Sequence, residues 1–205
     1  IDAVQVAGKL PINFHELGAT TLAASAHKFG GPRGIGLLLA RRTPAPLPLA
    51  FGGGQERGIR PGTVDVASAS ALAAALRESV ADMEQEETRL TALRDKLKAG
   101  IESSIDNVII NSAEPTLASH LHVSFPGTDG DSLIMLLDAA GIEASAGSAC
   151  HAGVNRMSHV LEAMGIDEEH GRGSLRFSLG RMTTDEDIDV VIKELPEIIR
   201  CARSV

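Results

Sequence analysis

The sequence predicts an α/β protein, and three observations predict it. Short apolar runs with strand character alternate with longer stretches whose apolar residues recur every three or four positions. Hydrophobic residues make up 43% and charged residues 22% of the 205 residues, the balance of a globular chain with a sizeable core. Trp and Tyr are absent, so aliphatic side chains and alanine must fill that core.

Taken in order, "IDAVQV" at 1–6 predicts a short strand and 17–24 a second apolar approach. "GIGLLLARR" predicts a buried strand ending at Thr43. The proline- and glycine-rich stretch from Thr43 to Thr63 predicts a long loop, a length usually kept for function. From Asp65, a natural N-cap, Leu72, Leu76, Val80, Met83, Leu90, Leu93, Leu97 and Ile101 trace one helical stripe, with Gly100 as its stop. Its polar middle, "EQEET", predicts a helix that bridges two domains, 1–85 and 86–205. Beyond it, "NVIIN", "HLHVSF" and "SLRFSLG" predict strands, and "IEASAGSAC" a strand running into a loop. "DSLIMLLDAAG" predicts a helix capped by Asp131 and ended at Gly141, and "SHVLEAMG" a short one. The last helix is expected to open on a capping box of Thr183 and Glu186.

Charge narrows the function classes. A net charge of −8 argues against a nucleic-acid partner, which requires a basic surface. Yet 27–63 hold Lys28, Arg33, Arg41, Arg42, Arg57 and Arg60 against a single acid, Glu56, a local field suited to a small anion. No apolar run approaches the ~20 residues that span a bilayer, so no membrane partner is expected. Two cysteines, Cys150 and Cys201, make no disulfide framework, and a reducing cytoplasm is the expected compartment.

The chemistry concentrates in "SAHKFGGPRGIG". A lysine in a partly apolar pocket has a lowered pKa and can form a Schiff base with a carbonyl. Ser25 and His27 beside Lys28 could donate to a phosphate, and Asp2 and Gln5 stand in the neighbouring segment. A carboxylate for a pyridinium nitrogen together with a Schiff-base lysine is what pyridoxal phosphate requires. The alternative is a surface lysine beside a turn. Cys150, in a loop of small residues next to His151, is either a buried structural thiol or a reactive one. A Cys150/His151/His159 metal cluster has no standard zinc spacing, and no metal is expected. Arg176 alternates out of step with the apolar Leu175 and Phe177, so it could leave the core side and clamp a carboxylate. Cys201 reads as packing.

"IDAVQVAGKLPIN", "SAHKFGGPRGIG", "GGGQERGIRPGT", "SAGSAC…SHVLEAMG" and "LRFSLGR" together resemble the NifS/IscS cysteine desulfurases, a class V branch of the fold-type I pyridoxal phosphate enzymes. The resemblance runs through the whole chain. It implies the C-terminal part of that family's large domain, a mostly parallel sheet with helices, followed by a small α/β C-terminal domain. It implies the cofactor pyridoxal 5'-phosphate, with Lys28 as its Schiff-base lysine. Asp2 would face the ring nitrogen, Gln5 the phenolic oxygen, and Ser25 and His27 the phosphate. Thr63 would reach the phosphate in a second subunit, implying a homodimer. Cys150 would take sulfur from L-cysteine as a persulfide, Arg176 would hold the substrate carboxylate, and an iron–sulfur scaffold or another acceptor protein would receive the sulfur. The spacing from Cys150 to Ser158 matches the subgroup with the longer loop, although Met157 stands where that subgroup usually has proline.

The chain opens on Ile1 rather than Met, and the resemblance reads it as the C-terminal portion of a longer chain. The family's upstream half, with a histidine that stacks on the cofactor ring, is not among these residues. The isolated chain is therefore expected to be weakly active or inactive. The alternatives are a selenocysteine lyase, another class V enzyme, or a non-catalytic fragment or binding module.

Overall fold

The computed structural model describes residues 1–146 and 157–204. The chain forms two compact units, Ile1–Glu86 and Glu87–Val205.

In the first unit β1 (Thr21–Ser25) pairs antiparallel with β2 (Gly36–Ala40), Thr21 opposite Ala40 and Ser25 opposite Gly36. The link between them is too short for the crossover that parallel neighbours need, so antiparallel pairing follows. Of the mostly parallel sheet implied by the resemblance, this unit holds that pair plus a single parallel bridge, Asp2 with Ala23. The strand expected over 1–6 thus shrinks to one residue. Asp2 turns the chain by accepting the Val4 N–H at 2.8 Å, and the Ala7 N–H then closes on the Ala3 carbonyl at 2.9 Å.

The core here is thin: Ala7, Ala24, Ala26, Phe29 and Leu72. It backs β1, and β2 is left open, with Leu38 52% and Leu39 42% exposed rather than buried as expected. The 43–63 segment is a loop broken by one short 3-10 turn, Glu56–Gly58. The single long helix expected after it is two helices, α1 (Val66–Ala81) and α2 (Met83–Ser104). Asp82 separates them: its N–H closes α1 on the Glu78 carbonyl at 3.1 Å, and its own carbonyl receives the Glu86 N–H at 2.9 Å. Asp65 is the N-cap of α1 as the sequence predicts. It accepts the Ser68 hydroxyl at 2.6 Å and backbone N–H at 3.0 Å, which hold its carboxyl below the usual range.

The second unit runs β3 (Ile109–Ile110), β4 (His120–Ser124), α3 (Gly130–Ala139), β5 (Ser145–Ala146), α4 (His159–Ala163), α5 (Glu168–Arg172), β6 (Ser174–Ser178) and α6 (Asp185–Ala202). Its sheet is antiparallel throughout the described strands, in the order β3-β4-β6-β5. Leu121, Val123, Leu175 and Phe177 form one core with Leu97 and Ile101 of α2, Leu133 and Leu137 of α3, and Ile188, Leu195 and Ile199 of α6.

Three expected boundaries move. α2 continues through Gly100, because that glycine serves as a contact rather than a stop: a Cβ there would lie 2.5 Å from Ile192 Cγ1 of α6. α3 is capped by Asp129, which accepts from the backbone N–H groups of Asp131 and Ser132, and not by Asp131. α6 opens on a capping box of Thr184 and Asp187, one residue later than expected, since Thr183 Oγ1 is already taken by the Gly180 N–H at 2.9 Å. Arg89 of α2 fixes the same connection by donating to the carbonyls of Thr183 at 2.7 Å and Gly180 at 2.9 Å.

Candidate active site

Three of the residues predicted in the first unit, Ser25, His27 and Lys28, share one turn. β1 delivers Ser25 to its end, and the chain then makes a 3-10 turn, Ala26–Phe29, closed by Gly30 with φ 85°. Ser25 Oγ lies 2.9 Å from His27 Nδ1, so the hydroxyl and the imidazole form one polar pair. Lys28 follows at the exposed side of the turn, while Ala26 and Phe29 fill the core side. The partly apolar pocket expected around Lys28 is therefore not formed within this unit, because a four-residue turn cannot bury both faces. The bridge to Ala23 brings Asp2 alongside β1, and Gln5 lies exposed in the turn that follows.

The turn is anchored from α1. The buried Ser79 hydroxyl donates to the Phe29 carbonyl at 2.9 Å. Gly8 lets this junction close: a Cβ there would lie 2.9 Å from Ser79 Cβ and 3.1 Å from Phe29 Cβ, and its φ is +75°. Next to Gly8, Lys9 is the shielded amine of the unit. Burial first, and the charge of Lys28 second, hold it below the usual lysine range. The sequence pattern contained Lys9 in "AGKLP" but assigned it nothing.

Thr63 is exposed in the segment before α1. That segment carries consecutive left-handed residues, Glu56 with φ 49°, Arg57 with φ 61° and Gly58 with φ 74°. A cavity of about 640 Å³ between β2 and this segment is lined by Leu37, Arg57, Arg60 and Asp65 among others, and by none of the predicted cofactor residues.

In the second unit Arg176 lies on the exposed face of β6, as the alternation predicts. Its Nε donates to Ser178 Oγ at 3.2 Å, and a terminal nitrogen reaches Ser145 Oγ at 3.4 Å. His122 stands directly across from it on β4. Cys150 and His151 lie outside the described residues. Among the described residues no group of three His, Cys, Asp or Glu side chains could hold a metal ion. Cys201 is half-buried on α6, with its Sγ 3.4 Å from Glu197 Oε1. Among the described residues no helix is long and apolar enough to cross a membrane.

The family model for aminotransferase class V matches residues 1–191. The chain belongs to that family. It is 48% identical over 98% of its length to an IscS-like cysteine desulfurase of Mycobacterium tuberculosis, covering 52% of that protein. Among solved structures it is similar to a NifS-like protein, with a TM-score of 0.87 and 35% identity, covering 98% of this chain and 52% of that one. It is also similar to SspA in complex with cysteine, with a TM-score of 0.66 and 30% identity over 87% of this chain and 49% of that one. The class V chain thus spans about half the length of the curated relatives it matches.

Proposed function

We propose that the protein carrying this chain is a cysteine desulfurase that uses pyridoxal phosphate to convert L-cysteine to L-alanine. What carries the proposal is the turn after β1, where a hydroxyl, an imidazole and an amine follow one another, with the backbone of Asp2 bridged to the same strand at Ala23. That donor set fits the cofactor: an amine for its aldehyde, a carboxylate for its ring nitrogen, and a hydroxyl with an imidazole for its phosphate. The similarity to enzymes named cysteine desulfurases, and to a protein solved with cysteine, supports the substrate.

In this proposal the Lys28 amine would hold the cofactor through its aldehyde, and the same amine would move the proton at the substrate's α-carbon. Bound there, the cofactor supplies an electron sink for that carbon. Asp2 would face the ring nitrogen and favour its protonated form, and Gln5 would face the phenolic oxygen. Ser25 and His27 bind the phosphate, and Thr63 does so for a second copy, in a homodimer. Arg176 receives the substrate carboxylate as a charged, forked donor. Cys150 as thiolate attacks the substrate sulfur. The carbon–sulfur bond breaks, a sulfur–sulfur bond forms, and the carbon gains a proton, leaving alanine and a Cys150 persulfide for an acceptor protein.

Borohydride reduction of the protein with pyridoxal phosphate, followed by peptide mapping, should place a pyridoxyl group on the Lys28 peptide. Alanine release from L-cysteine should vanish in Lys28→Ala. Undiminished release from that variant would refute the proposal.

A further inference from the structure

The sheet of the second unit has two unlike faces. One packs Leu121, Val123, Leu175 and Phe177 into the core. The other carries a polar row that crosses the strands: the Asn111 N–H donates to the His122 carbonyl at 2.9 Å, His122 is in register with Arg176, and Arg176 with Ser145. A partly buried histidine directly beside an arginine is at first sight unfavourable, since a second cation would be repelled.

The hydrogen bonds resolve this. Asn111 Nδ2 lies 2.9 Å from His122 Nδ1 and 2.7 Å from Ser124 Oγ. An amide nitrogen only donates, so His122 Nδ1 must accept and its single proton resides on Nε2. Burial first, and the Arg176 charge second, push the imidazole's pKa down, which favours its neutral form. Among the described residues no hydrogen bond takes up the Nε2–H. Asn111 and Ser124 are themselves buried, so the tautomer is set from the buried end of the row.

We propose that His122 is a second anion-binding residue beside Arg176, its Nε2–H and the guanidinium together receiving the carboxylate of the amino-acid substrate. The identity of that carboxylate rests on the proposed function above. A carboxylate offers about four lone-pair sites, more than one guanidinium edge occupies. Arg176 supplies the charge, while Ser178 and Ser145 hold its guanidinium on the face. A neutral imidazole adds a donor without adding a charge that would oppose the arginine. His122 therefore favours substrates that keep the carboxylate over their amides.

Two measurements on the whole protein test this. NMR of the His122 ring nitrogens should show the Nε2–H tautomer, and its signals should shift on addition of acetate or L-alanine but not of L-alaninamide. In steady-state assays, His122→Leu should raise KM for L-cysteine about tenfold or more, with kcat within about twofold. His122→Asn, which retains an N–H donor, should recover most of that loss. Circular dichroism checks that both variants are folded. A proton on Nδ1, or an unchanged KM without any carboxylate response, overturns the assignment. A carboxylate response at His122 in a protein that releases no alanine would refute the desulfurase proposal and leave the anion site standing.

Discussion

The two units hold their candidate residues by opposite means. In the first, Ser25, His27 and Lys28 ride on a four-residue turn backed by alanines and a single Phe29, and the same unit leaves Leu47, Leu49 and Phe51 in solvent. In the second, Arg176 and His122 stand on adjacent strands backed by a dense aliphatic core that includes Leu133, Leu137, Leu175 and Ile199. Small side chains bury little apolar area, so the first turn depends on a few specific bonds, the Ser79–Phe29 one above all. A sheet with a full core needs no such single anchor. Candidate groups are therefore held by sparse, bond-dependent structure in the first unit and by a rigid platform in the second.

The comparison is tested most severely in the cores. Leu137→Ala in the second unit should cost about 3–4 kcal/mol in urea unfolding, and Leu72→Ala in the first about 2 kcal/mol. Equal losses would erase the contrast. Amide exchange should likewise be slower in β4 and β6 than in β1 and β2. Next in size, Gly173→Ala should cost about 3 kcal/mol, because its Cβ would lie 2.6 Å from the Phe125 carbonyl oxygen where the platform's strands meet. Ser79→Ala should cost about 1–2 kcal/mol by leaving the buried Phe29 carbonyl without its donor. It should also lower Lys28 labelling by pyridoxal phosphate while leaving the His122 NMR signals in place. A loss of both would mean that the units do not hold their sites separately.

Smaller effects sharpen the picture. The pKa of His122 is lowered in the fold, so the unfolded chain takes up the proton first as pH falls. The stability of the second unit should therefore drop as pH falls through the ordinary histidine value near 6.5, and level off below the folded value. His122→Asn should remove that component from the pH profile of thermal unfolding. The smallest change is expected at Arg57, whose φ of 61° suits glycine better: Arg57→Gly should stabilise the first unit by about 1 kcal/mol. A loss of stability there would mean that the arginine side chain holds the loop.

Much of the local structure was legible in the residues. Asp65 announced α1, the alternation in "SLRFS" put Arg176 on the open face of β6, and the spacing of Leu90, Leu93, Leu97 and Ile101 gave the buried stripe of α2. Where expectation and structure part, a neighbour distant in sequence decides. Gly100 reads as a helix stop until Ile192 is packed against it, and Thr183 as a cap until Gly180 takes its hydroxyl. The strand expected at 1–6 fails because Asp2 bonds locally to Val4. Lys28 reads as shielded because the apolar run before it does not reveal which side of the turn is open.

By itself the sequence determined the alternation of elements, the family, and the short segment that carries Ser25, His27 and Lys28, because these depend on the order and spacing of near neighbours. Only the tertiary structure decided that Lys9 is the shielded amine, that Ser79 anchors the turn, and that Asn111, His122, Arg176 and Ser145 form one row. Those facts depend on strand register and on burial, which bring together residues that no local pattern relates.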